Sequence, residues 1–295
     1  MSEPSVVPIT PESLGLMPRA LDRVVGPFPM AAHEQADAYA RLISPEERRS
    51  ADPFLYLSNA WFSRVGFDWH PHRGFETVTM VLDGELEHRD NAGGEGVLGA
   101  GDVQWVTTGR GVIHAELAHR RQPVHTLQLW LNLPASLKLV PPRYQDLRGA
   151  DAPVIRDPGS IVRVYSGTVR GVTGHAENHW PTTVIDARFE RDGTFVHEVP
   201  GDHTLFLYVH SGAVRVGPDR RSITAGHAGW FFAGESGASG IEMIADEPSH
   251  LVAYSSAPIG EPVAAYGPFV MNTPEEIHTA IRDYQRGDFG PIPAR

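Results

Sequence analysis

From Phe75 onward the chain alternates short β-prone runs with glycine turns, and this pattern occurs twice. Phe75 to Leu82 is β-branched and aromatic, and Asp83-Gly84 is a hairpin signal. Glu85 to Arg89 returns, Asn91-Ala92-Gly93-Gly94 turns again, and Val103–Thr107 and Val124–Leu133 read as further strands. Short strands at regular spacing predict a sandwich or a barrel. His203 to Gly212 then repeats the layout of Phe75 to Gly84, and Ala225 to Trp230 repeats that of Ala100 to Trp105. The turn glycines are offset by 128 (Gly84, Gly212) and 125 (Gly101, Gly226). The expected fold is therefore all-β, with two related β-barrels in tandem. Pro134 to Pro158 reads as the connector, giving domains over 1–136 and 137–295.

Two histidine doublets stand out in the first repeat. His70 and His72 are two residues apart, and so are His114 and Glu116. Side chains two apart on a strand share a face, so each doublet can aim two groups at one point. If the two strands face each other in a small barrel, three imidazoles and a carboxylate converge. That N3O set suits a divalent transition metal: Fe, Mn, Co, Ni, Cu or Zn. In a chain with 15 His, one such doublet would mean little; two, joined by hairpin signals, point to a metal site. The second repeat lacks the set. An offset of 128 carries His70 and His72 to Glu198 and Pro200, and one of 125 carries His114 to Ser239. His197, His203 and His210 read as ordinary barrel or surface histidines.

Composition removes several classes. A formal charge of −11 argues against non-specific nucleic-acid binding, which needs a basic surface. No apolar run approaches the roughly 18 to 20 residues of a membrane span, and Met1 to Thr10 has no signal-peptide pattern. Cysteine is absent, which excludes disulfides, thiol catalysis and thiolate metal sites. A cytoplasmic monomer is expected. Lys138 is the one lysine among 25 basic residues, read as codon bias of a GC-rich bacterial genome.

The ends carry helix signals. Gln35 to Ile43 reads as a short helix, and Ser44-Pro45-Glu46-Glu47 as a capping box opening a helical turn. Thr273-Pro274-Glu275-Glu276 is a second capping box. Ile277, Ala280, Ile281 and Tyr284 form an apolar face behind it, and Gly287 stops the helix.

Several stretches resemble the pirin family of the cupin superfamily: DPFL at 52–55, HPHRGFETVTMVLDGELEHRD at 70–90, GDVQWVTTGRGVIHAE at 101–116, YGPFVMNTPEEI at 266–277 and DYQRGDFG at 283–290. The resemblance implies two cupin barrels, with the C-terminal helix folding back towards the first. It also implies one metal, usually Fe(II), in the N-terminal barrel, on His70, His72, His114 and Glu116. Some bacterial pirins resemble quercetin 2,3-dioxygenases, which cleave the central ring of a flavonol with dioxygen and release carbon monoxide. On that reading the substrate is small, planar and aromatic, and Glu116 is either the base that accepts its proton or a permanent ligand. Nuclear pirins offer the alternative of an iron-dependent redox sensor that binds a partner protein. Glu76 is expected to orient a ligand imidazole, being four residues past His72 on the same face if the strand is unbroken. Arg73 and Arg110 either steer an anionic substrate or serve as structural donors. Trp61, Phe67 and Trp69 either line a pocket or fill core. Ser58-Asn59-Ala60 replaces the acidic segment that many pirins carry after DPFL.

Overall fold

The computed structural model describes residues 9–43, 51–63 and 66–293. Strands β1 (Met17–Pro18) and β2 (Leu21–Val25) open the chain. There follow β3 (Ala31–His33), β4 (Ala36–Ile43), β5 (Phe54–Phe62), β6 (Gly66–His72), β7 (Phe75–Asp83), β8 (Glu85–Asp90), β9 (Glu95–Gly99), β10 (Val103–Thr107), β11 (Val112–Ala118), β12 (Val124–Asn132) and β13 (Arg143–Leu147). The second repeat holds β14 (Val154–Asp157), β15 (Ser160–Ser166), β16 (Thr168–Val169), β17 (Val172–Thr173), β18 (Thr182–Phe189), β19 (Thr194–Pro200), β20 (Thr204–Ser211), β21 (Ala213–Val216), β22 (Arg221–Thr224), β23 (Ala228–Phe231), β24 (Ala238–Ala245) and β25 (Ser249–Ser256). A small hairpin, β26 (Ala264–Tyr266) with β27 (Phe269–Met271), precedes helix α1 (Pro274–Gln285).

The chain divides into an N-terminal unit, residues 29–151 with 259–295, and a C-terminal unit, residues 1–28 with 152–258. This differs from the expected division at 136/137, because pairing, not sequence order, decides membership. β2 joins β23 with Leu21 opposite Phe231, and β1 runs parallel to β24 with Met17 opposite Ser239. The stretch expected to be a connector also carries structure: β13 completes a sheet beside β10, with Gln145 opposite Trp105.

The two units share one plan. The N-terminal unit has a seven-stranded sheet, β13-β10-β7-β12-β5-β4-β3, and a four-stranded sheet, β6-β11-β8-β9. Phe62, Val81 and Val124 from the larger sheet meet Leu86, Leu98 and Ala118 from the smaller in one buried cluster. The C-terminal unit has a seven-stranded sheet, β14-β15-β18-β25-β20-β23-β2, and a five-stranded sheet built on β1-β24-β21-β22 with β19 on β24. Val162, Ile185 and Leu207 there pack with Phe195, Ile241 and Met243. Burying roughly 100 Å² on each such side chain is worth about 2 to 3 kcal/mol, so the apolar faces hold the sheets together.

Residues 36–43 form β4, where a helix was expected. The segment alternates its exposure, with Ala36 and Ala40 buried and Asp37 and Arg41 exposed, and it pairs with β5 (Tyr39 opposite Ala60). The ladder outweighs the helix propensity of an alanine-rich run, which is only a few tenths of a kcal/mol per residue. The capping box at 44–47 lies outside the described residues. The box at 273–276 is formed: Glu276 N donates to Thr273 Oγ1 at 3.2 Å, and Thr273 N donates to Glu276 Oε2 at 2.9 Å. Ile277 and Ala280 of α1 pack with Ile113, Phe269 and Phe289. Among the described residues no helix is long and apolar enough to cross a membrane.

Candidate metal centre

β6 and β11 are antiparallel neighbours, and their register sets His70 opposite His114. Directly opposed residues point to the same side of a sheet, so both rings enter the interior. Their Nε2 atoms lie 2.9 Å apart. Two nitrogens each about 2.1 Å from one ion, at right angles about it, would be about 3.0 Å apart; without an ion, the same spacing holds one N–H···N hydrogen bond. His72 completes the cluster, its ring centroid 4.7 Å from that of His70 and 4.9 Å from that of His114. Donor atoms of the three imidazoles all lie within 4.8 Å of one another.

The far side of two rings is fixed. His70 Nδ1 donates to Asp68 O at 2.8 Å and His72 Nδ1 to Pro268 O at 3.3 Å. A carbonyl on Nδ1 keeps the proton there and leaves the Nε2 lone pair free for a metal. His114 is fully buried. Burial, followed by neighbouring imidazoles, holds His72 and His114 well below the usual histidine range, and burial also lowers His70. Neutral imidazoles are the form that ligates metal.

The register carries a bulge. His114 to Glu116 spans two residues of β11, but their partners His70 and Phe67 span three residues of β6. The extra residue lies at Asp68-Trp69. It re-aims the strand as bulges do, so Phe67 lands on the same face as His70, which plain alternation would forbid.

Glu116 is buried and held through both oxygens: Thr79 Oγ1 donates to Oε1 at 3.2 Å and Gln128 Nε2 to Oε2 at 2.6 Å. The structure groups it with His114 and His88, and groups His70 and His72 with His114; His114 is common to both. His88 was not anticipated. It is opposite Glu116 on β8, fully buried, with Nε2 3.2 Å from Asp90 Oδ2 and its ring stacked 4.6 Å from Tyr144. Its position two residues before Asp90 on a strand of alternating burial was the available signal.

Glu76 is elsewhere. The strand expected to run through 70–76 breaks at Arg73-Gly74, so His72 ends a strand of the smaller sheet and Glu76 lies in the larger one. Gly74 has φ +91°, and a Cβ there would fall 1.9 Å from Val270 O, so only glycine makes this turn. Glu76 accepts from Thr107 Oγ1 at 2.6 Å. Arg73 is a structural donor: Nε reaches Arg110 O at 2.7 Å, and Nη1 pairs with Asp283 at 2.7 Å.

A cavity of about 510 Å³ opens onto His70, His72 and Glu116. Its aromatic walls are Tyr39, Tyr56, Phe62, Phe67 and Trp130. Of the three aromatics singled out by sequence, Phe67 is in the wall, Trp61 stacks on His125 at 4.2 Å, and Trp69 packs beside the cluster of Ile113 and Phe269. A larger groove of about 900 Å³ is lined by Asp68, Trp69 and Asp90 and holds none of His70, His72, His114 or Glu116. The chemistry belongs to the smaller cavity.

The repeated fold lets the second unit be compared position by position. There His197 is opposite Ile241, and Met243 is opposite Val216. Val216 lies four residues past Gly212 as His88 lies four past Gly84. Hence His197, Val199, Ile241 and Met243 stand where His70, His72, His114 and Glu116 stand. This corrects the positions that fixed sequence offsets give.

Two β units of cupin plan, one with a buried histidine cluster opening onto an aromatic cavity, define a two-domain cupin. The family model for pirin matches residues 32–131, and that for the pirin C-terminal cupin domain matches residues 184–290. The chain belongs to the pirin family. Human pirin is 38% identical over 254 residues, covering 85% of this chain and 87% of its own. A crystal structure of quercetin 2,3-dioxygenase from Acinetobacter baumannii matches with TM-score 0.85 at 32% identity, over 93% of this chain and 99% of that one. A bacterial pirin from Escherichia coli, solved in complex with nickel(II), shares the fold with TM-score 0.63 at 21% identity, over 78% of this chain and 96% of that one.

Proposed function

We propose that this protein is a metal-dependent dioxygenase of the quercetin 2,3-dioxygenase type, with His70, His72, His114 and Glu116 as the ligand set. The observation that carries the reading is the 2.9 Å approach of His70 and His114 Nε2, beside His72, at an aromatic-walled cavity. The donor set fits a divalent transition ion, and iron is the ion we expect. When bound, such an ion would supply Lewis acidity and redox access to dioxygen.

The chain's own residues do the rest. Phe67 and Trp130 line the cavity and offer a flat aromatic substrate apolar surface to pack against, a gain of proximity and orientation. The apolar walls reduce water around the reacting centre. Among the described residues, Glu116 is the cavity carboxylate grouped with a cluster imidazole, His114, and on this reading it accepts the flavonol hydroxyl proton. Gln128 and Thr79 supply two donors that hold its oxygens in place. The expected reaction is opening of the flavonol central ring by dioxygen with release of carbon monoxide.

The test is anaerobic purification with metal analysis, followed by quercetin turnover under oxygen with carbon monoxide detection. Carbon monoxide in proportion to bound iron is expected. Stoichiometric iron without carbon monoxide would overturn the dioxygenase reading.

A further inference from the structure

Gln128 lies on β12 opposite Thr79 of β7. Its Nε2 donates to Glu116 Oε2 at 2.6 Å and to Thr79 Oγ1 at 3.1 Å. Its Oε1 accepts from Trp130 Nε1 at 3.2 Å. The indole N–H can only donate and an ionised carboxylate can only accept. An amide has one end of each kind, so these two neighbours fix its orientation. Trp130 itself packs against three rings, Phe75 at 4.5 Å, Tyr56 at 5.0 Å and His72 at 5.1 Å.

We infer that Gln128 is a positioning residue for Glu116, and that the Trp130 indole N–H controls it by fixing which end of the amide faces the carboxylate. Trp130 thus acts on the metal centre through Gln128. Remove the indole N–H and the amide is free to turn. Turned, it sets its oxygen against Glu116 Oε2, acceptor against acceptor, and competes for the Thr79 hydroxyl that now donates to Oε1 at 3.2 Å. The wall that a flat substrate packs against and the carboxylate beside the imidazoles are therefore linked by one amide.

This inference rests on the reading of Glu116 as part of the metal centre, and its test uses Co(II) binding, so it does not depend on turnover. The full chain is compared with Trp130→Phe, Gln128→Leu and the double variant, by chelator competition for affinity and by the visible spectrum of the Co(II) form. Gln128→Leu should weaken Co(II) by about tenfold or more and shift the spectrum, as loss of a partner to a ligand does. Trp130→Phe should move both in the same direction when Gln128 is present, and leave both unmoved in the Gln128→Leu background. If Trp130→Phe has no effect with Gln128 present, or the same effect with and without it, the inference is wrong. Should Gln128→Leu fail to fold, Gln128→Met carries the same comparison. Retention of Co(II) by His114→Ala would instead sink the ligand reading, an outcome separate from these.

Discussion

His70 and His114 sit directly opposite each other on neighbouring antiparallel strands, with their Nε2 atoms 2.9 Å apart. The contact joins residues far apart in sequence, and only the β6–β11 register makes it. Removing one ring leaves too few converging donors. His114→Ala is expected to reduce bound metal from one per chain to background, by elemental analysis of anaerobically purified protein. Because β14 to β25 pair among themselves and with β1 and β2 of the same unit, amide exchange across residues 152–258 should stay as in the parent. Full metal content in the variant would refute the ligand assignment.

The bulge at Asp68-Trp69 predicts a division of labour between aromatics. Phe67 lines the cavity, whereas Trp61 stacks on His125 away from it. Phe67→Ala should weaken a planar aromatic ligand by about 1 kcal/mol, some fivefold in Kd, and leave metal content unchanged. Trp61→Ala should lower the unfolding midpoint and leave that Kd alone. Calorimetric titration and thermal unfolding of both variants check this, and equal effects on Kd would contradict it.

Most of this site was readable from sequence because period-two spacing is local. His70 with His72 and His114 with Glu116 announce a shared face from their spacing alone, and the flanking glycine turns announce the strands. What was hidden depends on register. Phe67 reaches the cavity only through a bulge, and His88 meets Glu116 only through pairing of β8 with β11. Glu76 was misplaced because Gly74 ends a strand that its sequence would continue. In the repeat, His197 was missed as the counterpart of His70 because loop lengths between strands differ, so no single offset serves. Gln128 and Trp130 share a face of β12, but their spacing has no partner in sequence to give it meaning.

Arg73 links the strand end at His72 to helix α1. Its guanidinium is buried, pairs with Asp283 at 2.7 Å and lies 4.5 Å over the Phe289 ring. Breaking a largely desolvated pair leaves an uncompensated charge and costs about 3 kcal/mol or more. Arg73→Met should therefore keep more stability than Asp283→Ala, since Asp283 is the more exposed partner and keeps its pair with Arg286, whereas Asp283→Ala strands the buried Arg73 charge. Denaturant unfolding with amide exchange over 274–285 measures this. If both variants leave α1 as protected as in the parent, the pair does not hold the helix.

His197 offers a prediction about acid stability that involves no metal. It stands where His70 stands in the other unit, fully buried, and neither ring nitrogen has a hydrogen-bond partner among the described residues. Burial, with the nearby Arg19 charge, lowers it to about 3. An unfolded chain would take up this proton near pH 6.5. Above that pH neither state holds the proton, and the group adds no pH dependence. Between about 6.5 and about 3 the unfolded state holds it and the folded state does not, so folding weakens by about 1.4 kcal/mol for each unit of acidification. His197→Leu should remove that slope from the C-terminal unit while leaving stability near pH 7.5 equal or higher, since two unpaired polar atoms are exchanged for an apolar side chain of similar size. Urea unfolding from pH 7.5 to 4.5, followed by amide exchange in β19 and β24, compares the two proteins. Parallel curves for parent and variant would mean that His197 is hydrated or protonated in the folded unit.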